Sequence, residues 1–158
     1  MTTTSTPLLD RTGQLLTERG MTFSRHASLP LLILRFTHER GQWGTFVEVQ
    51  ESPPRIAIYS GYPQKASSGA RRAMAEFLTR ANHGLSVGNF ELDLDDGAVR
   101  FKTSVELADV ALTAALLDRL LTVNLSETAR HLDAIVGIAS GALSANDAVA
   151  RLAAPARP

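Results

Sequence analysis

NFELDLDDGAVRFKTS, residues 89–104, alternates apolar and polar side chains on both sides of an Asp96-Gly97 pair. Asp-Gly between two alternating runs is a strong local signal for a β-hairpin, because the tight turn needs residues that tolerate positive φ. A strand over Asn89 to Asp95 and another over Ala98 to Ser104 place Phe90, Leu92, Leu94, Val99 and Phe101 on one side. Asn89, Glu91, Asp93, Arg100 and Lys102 fall on the other. That division predicts an antiparallel sheet with one face on the core and one in water.

Working outward, Ala66 to Asn82 has helical spacing, with Ala70, Ala73, Met74, Phe77, Leu78 and Ala81 on one side. Asn82-His83-Gly84 supplies a stop. Before it, Leu31 to Thr37, Trp43 to Val49 and Arg55 to Ser60 read as three strands. They are separated by the polar His38–Gln42 stretch and by Ser52-Pro53-Pro54. Proline cannot donate to a ladder, and short connections favour an antiparallel meander. Leu8, Leu9, Leu15 and Leu16 predict an N-terminal helix ending at Gly20. After the hairpin the chain is helical. Val110 to Leu121 forms one stripe, interrupted near Asn124, and Ser126 is positioned to cap a second segment through Ala139. Gly141 stops it, and Ser144 to Asp147 opens a short helix through Leu152. Neighbouring strands rather than strict strand–helix alternation make this an α+β chain.

The first three strands differ from the hairpin in being apolar on both sides. With Leu32, Leu34, Phe36, Val47, Val49, Ile56 and Ile58 inward, Leu31, Ile33, Phe46, Ala57 and Tyr59 point outward. A second apolar face requires cover from the chain's own helix, a twin subunit or a client protein. Leu31, Ile33, Phe46 and Tyr59 are therefore the candidate contact residues.

Length and composition set the bounds. The 158 residues fit a core domain over 7–153, with tails at 1–6 and 154–158. A chain of this size buries roughly 70% of its unfolded surface, so stability needs neither metal nor disulfide. The 16 basic residues balance 16 acidic ones, which leaves no global field for phosphates and predicts no direct nucleic-acid binding. A local basic segment, Lys65, Arg71, Arg72 and Arg80, is the exception; its plain reading is a solvated helix face, its functional one an accessory role in nucleic-acid handling. There is no cysteine. The Thr/Ser-rich start lacks a basic region followed by an apolar one, and no apolar run approaches the roughly 20 residues that span a bilayer. A soluble cytoplasmic protein is the expectation.

Catalytic patterns are missing. His26, His38, His83 and His131 are scattered without ligand spacing. The letters GxSxG occur at Gly84-Leu85-Ser86-Val87-Gly88, but these glycines bracket a link from helix to strand, which needs only turn geometry and is not the strand-to-helix elbow of a hydrolase. No GxxxxGK or GxGxxG occurs, so an enzyme, for instance a hydrolase, would have to assemble its site without a local motif. Glu91, Asp93, Asp95 and Asp96 fail as a calcium loop, since Gly97 would fall where an oxygen ligand is needed. They read instead as a strand's wet face and its turn. Catalytic residues, metal and cofactor are each predicted as none.

The stretch from Asn82 to Leu107, NHGLSVGNFELDLDDGAVRFKTSVEL, resembles the YbjN family, as does Ile135-Val136-Gly137-Ile138-Ala139-Ser140-Gly141 followed by Ser144 and Ala148. The resemblance implies a fold like that of type III secretion chaperones, of order α-β-β-β-α-β-β-α, here with an extra C-terminal helix and an antiparallel sheet packed on helices. It further implies a bacterial, homodimeric, chaperone-like or regulatory protein that binds clients, one linked to signalling and stress, with no catalytic residues to carry over. Secretion chaperones are typically acidic, and the neutral charge here argues against a literal secretion role.

Overall fold

In the computed structural model, which describes residues 7–153, the sheet and its helices follow one another as α1 (Leu8–Glu18), β1 (Ser24–Arg25), β2 (Leu31–His38), β3 (Gly41–Glu51), β4 (Pro54–Gly61), α2 (Arg71–His83), β5 (Asn89–Leu92), β6 (Val99–Glu106), α3 (Ala114–Ala139) and α4 (Ala145–Ala153). The tails expected at 1–6 and 154–158 lie outside the described residues. The strands form one sheet of order β1-β2-β3-β4-β6-β5, antiparallel at every pairing.

Side-chain alternation sends one apolar set from each strand toward the helices. Leu15 and Leu16 of α1 and Leu117, Leu120 and Leu121 of α3 pack on Leu32, Leu34, Val47, Val49, Ile56 and Ile58. Farther along, Met74, Phe77 and Leu78 of α2 and Leu132, Ile135 and Ile138 of α3 pack on Phe90, Val99 and Phe101. Helix α3 thus spans both clusters, and all helical cover falls on the same sheet face. Each such fully buried side chain contributes about 1.5–3 kcal/mol. The start of α1 is held by a strand: Glu51 accepts hydrogen bonds from the Leu8 and Leu9 amides at 3.0 and 3.1 Å. A carboxylate there satisfies free helical N–H groups and suits the positive end of the helix dipole.

Three sequence expectations are corrected. The hairpin turn is wider than Asp96-Gly97, because β5 stops at Leu92. Asp93 takes over, its amide donating to the Ala98 carbonyl at 2.9 Å and its carbonyl accepting from Gly97 at 2.8 Å. Leu94 therefore leaves the inward row and is 64% exposed. Second, the helix expected to break near Asn124 is continuous over 26 residues and begins later, Thr113 accepting from the Leu116 amide at its N-terminus. Ser126 caps nothing; its hydroxyl donates to the Val123 carbonyl. Third, α2 begins at Arg71 rather than Ala66, whose amide is drawn to the Gly97 carbonyl at 2.8 Å.

Asn124 is why α3 does not break. Fully buried, it faces the sheet, its Nδ2 donating to the Ile58 and Phe101 carbonyls at 3.0 and 3.3 Å. Its Oδ1 accepts from the Ser60 hydroxyl at 2.5 Å, and Ser60 meets Thr45 at 2.6 Å. A polar residue that marks a helix end in water here joins helix to sheet inside the core. Asn124→Ala is expected to cost about 2–4 kcal/mol in urea unfolding, since buried partners lose their bonds, whereas Ser126→Ala is expected to cost under about 0.5 kcal/mol.

Candidate functional site

The sheet face opposite the helices is the candidate site. Strand registers align its side chains in rows across the strands. Ser24, Ile33, Phe46, Tyr59, Lys102 and Asn89 form one row. Leu31, Glu48, Ala57 and Ser104 form the row beside it. On the other flank run Arg35, Gly44, Gly61, Arg100 and Glu91.

Three of the four expected contact residues, Ile33, Phe46 and Tyr59, are consecutive in one row. Leu31 lies one row away on the same face. None belongs to either apolar cluster under the helices. Phe46 is 37% exposed, while Leu31, Ile33 and Tyr59 are half-buried. Ala57, expected outward, does lie on this face but is buried. Toward β5 the face turns polar. The Arg100 guanidinium sits 4.2 Å from the centre of the Tyr59 ring, a cation–π contact. Glu91 accepts from Arg100 Nε at 2.6 Å and Lys102 Nζ at 2.5 Å. Burial works to raise the Glu91 carboxyl, but hydrogen bonds from Lys102 and Arg100 outweigh it and hold the group below its usual range.

The two edges of the sheet differ. At β5 the Phe90 amide donates to Asn82 Oδ1 at 2.7 Å, and Asn82 Nδ2 donates back to the Phe90 carbonyl at 3.1 Å. The last turn of α2 thereby blunts that edge against strand pairing. At the opposite edge β1 pairs only with Leu32 and Ile33, so β2 runs on past it from Leu34 to His38.

Residues 9–136 match the model of the YbjN family, described as "Putative bacterial sensory transduction regulator". The chain belongs to the YbjN family. Among solved structures it is similar to YbjN from E. coli, at 12% identity and TM-score 0.60, with 85% of this chain and 94% of that one covered. It is also similar to the ExsC–ExsE complex, at 18% identity and TM-score 0.56, with 80% of this chain and 97% of the matched one covered. No protein of curated function matches it by sequence. The expected α+β, type III secretion chaperone-like fold is the observed one.

The basic segment of this YbjN-family chain is largely engaged. Lys65 pairs with Asp96, Arg71 donates to the Leu94 carbonyl at 3.0 Å, and Arg80 meets Glu76 at 2.6 Å and Asn146 at 2.8 Å. Arg72 is exposed. The acidic turn is also committed: Asp93 Oδ1 accepts from the Asp95 amide and Asp96 Oδ1 from that of Ala98, both at 2.8 Å. Among the described residues, no three His, Asp or Glu side chains are placed to hold a metal, and no helix is long and apolar enough to cross a membrane.

Sequence reading took Asn82 for a helix stop and Gly61 for the start of a break, and passed over Gly44. Gly44 inside the Trp43–Val49 run was the available signal, since glycine weakens a strand unless something uses its bare backbone. His26, His38 and His83 are exposed, but His131 is 4% exposed, its ring centre 4.7 Å from that of Phe90 and 6.2 Å from that of Phe77. Its Nδ1 donates to the Glu127 carbonyl at 2.9 Å, with Glu127 Oε2 at 3.4 Å. Tyr62 turns its hydroxyl inward to the Thr128 carbonyl at 3.1 Å.

Burial lowers the His131 pKa, outweighing the opposing pull of Glu127, while Arg130 lowers it further. The unfolded chain titrates this group near ~6.5. Stability is therefore complete above that pH and falls as pH drops through it toward the folded-state value, where the unfolded chain binds the extra proton. Urea midpoints at neutral and mildly acidic pH are expected to differ more for the wild type than for His131→Leu.

Proposed function

We propose that this chain is a non-enzymatic, chaperone-like or regulatory protein-binding module, working as a homodimer in the bacterial cytoplasm, within a stress response. The observation that carries this reading is the row Ile33, Phe46 and Tyr59, with Leu31 beside it, on a sheet face that the described helices leave uncovered. Apolar and aromatic side chains held on a rigid sheet are the usual anchors of protein interfaces. The likeness to ExsC, solved as a complex with the protein ExsE, supports a protein partner. The balanced charge supports a protein client over nucleic acid. The inward-turned Tyr62 and His131 offer no convergent polar groups to a substrate, which favours binding over catalysis.

The test is the combined variant Ile33→Ser, Phe46→Ser and Tyr59→Ser, followed by light scattering and by capture of partners from a lysate of the source bacterium. Losing a central aromatic anchor costs about 2 kcal/mol of binding, or about thirtyfold in affinity. The variant is expected to keep its cooperative unfolding transition, to run as a monomer and to lose the captured proteins. Unfolding would show that the row is core. Unchanged association and capture would show that the interface lies elsewhere.

A further inference from the structure

Gly44 and Gly61 are cross-strand partners on the outer face, at the centre of the row that runs from Arg35 to Arg100. Gly44 lies inside β3 and Gly61 is the last residue of β4. Glycine inside a strand costs about 0.5–1 kcal/mol relative to alanine, so Gly44 paired with Gly61 calls for a reason. Backbone conformation supplies none, as neither glycine is among those with positive φ. Packing supplies none either. A Cβ at Gly61 would meet nothing within 4 Å, and one at Gly44 would meet only the Phe46 ring, in ordinary contact at 3.7 Å. Gly97 is the contrast: positive φ, and a Cβ that would fall 2.0 Å from the Ala66 carbonyl oxygen. A physical reason that fits bare backbone here is the close approach of a ligand or another chain.

Space and charge agree. A hollow of about 480 Å³ runs from Arg35 and Thr37 past Phe46 to Gly61. A second, of about 580 Å³, runs from Gly61 to Lys65 and Arg100. Both are lined by Gly61 and Tyr62, and the first is a trough across β2, β3 and the end of β4, beside Gly44 and Phe46. Strands lie about 4.8 Å apart, so Arg35 to Arg100 is about 14 Å, the reach of about four extended residues. Among the described residues Arg35 is the one charged side chain lining the first hollow, whereas the second sets Lys65 and Arg100 beside Glu91 and Asp93, with Glu91 already committed to Arg100 and Lys102. Arg35 has no carboxylate within ion-pair distance among the described residues. The trough is shallow, with Arg35, Thr37, Gln42, Phe46 and Pro63 exposed along it. A small ligand would stay largely in water there, whereas an extended chain would be gripped along its length.

We infer that this trough is the docking groove for an extended, acidic and apolar segment of the partner protein. The segment's backbone lies over Gly44 and Gly61, a carboxylate meets Arg35, and an apolar side chain rests on Phe46. The inference depends on the reading of the outer face as a protein-binding surface and adds the chemistry of what binds.

The experiment is fluorescence anisotropy with the full chain and three short labelled peptides, alternating glutamate with leucine, lysine with leucine, and glutamate with serine. The variants are Gly61→Leu, Arg35→Glu and, as a charge-matched control at the far end of the face, Arg55→Glu. The glutamate–leucine peptide is expected to bind and the other two to bind at least tenfold more weakly. Gly61→Leu and Arg35→Glu are each expected to weaken binding about tenfold or more, the size of one lost contact of about 1.4 kcal/mol, and Arg55→Glu to leave it unchanged. Absence of binding, preference for the lysine peptide, or indifference to both Gly61→Leu and Arg35→Glu would each overturn the groove. Altered self-association in Gly61→Leu without peptide binding would assign the trough to a second copy and equally overturn it. If partner capture survives Gly61→Leu and Arg35→Glu but fails in the triple serine variant, the groove falls and the wider reading stands. Capture that survives every variant removes both.

Discussion

Asn124 has no contact with water, and its hydrogen bonds tie the middle of α3 to carbonyls on two adjacent strands, β4 and β6. Satisfying a buried amide is a geometric demand, because leaving it unpaired costs more than the bond returns. The demand sets the position of α3 along the sheet at Ile58, Ser60 and Phe101. Thr103 adds to it, donating to the Leu120 carbonyl at 3.1 Å. Once α3 is held there, Leu117 to Leu121 fall on one half of the sheet and Leu132 to Ile138 on the other. Helices α1, α2 and α4 pack around that ridge.

This arrangement has a consequence for the opposite face. With the described helices all on one side, the outward residues of β2, β3 and β4 have no apolar helix above them among the described residues. The polar end of the face is managed internally, by Glu91 bridging Arg100 and Lys102 and by Arg100 resting on Tyr59. The apolar middle is not. The blunting of the β5 edge by Asn82 adds a direction, since an approaching chain meets pairing groups already occupied there and the open continuation of β2 on the far side. On the proposed reading, binding through this face would use the sheet as a preformed scaffold, with little ordering to be done on association.

Much of the fold was legible in the chain. Alternation around Asp96-Gly97, the breaks at Pro53-Pro54 and the helical spacing of Ala70 to Ala81 are local signals, and local geometry decides them. Gly20 and Gly141, at φ of 75° and 78°, end α1 and α3 where the sequence placed the stops. The misreadings came where tertiary contacts override local preference. Asn124 looked like a helix end because asparagine competes for backbone bonds in water, and its sheet partners are more than twenty residues away. Leu94 looked like core because alternation carries no information about where a strand stops.

The candidate site divides in the same way. Composition and period alone determined that the chain has an α+β architecture, that its first strands are apolar on both faces, and that Leu31, Ile33, Phe46 and Tyr59 point away from the core. Only the tertiary structure decided which residues become neighbours: that Ile33, Phe46 and Tyr59 share a row, that Gly44 faces Gly61 between Arg35 and Arg100, and that the described helices pack on the opposite face. Side-chain alternation is a property of each strand by itself, whereas register and helix placement follow from hydrogen bonds and packing between distant segments.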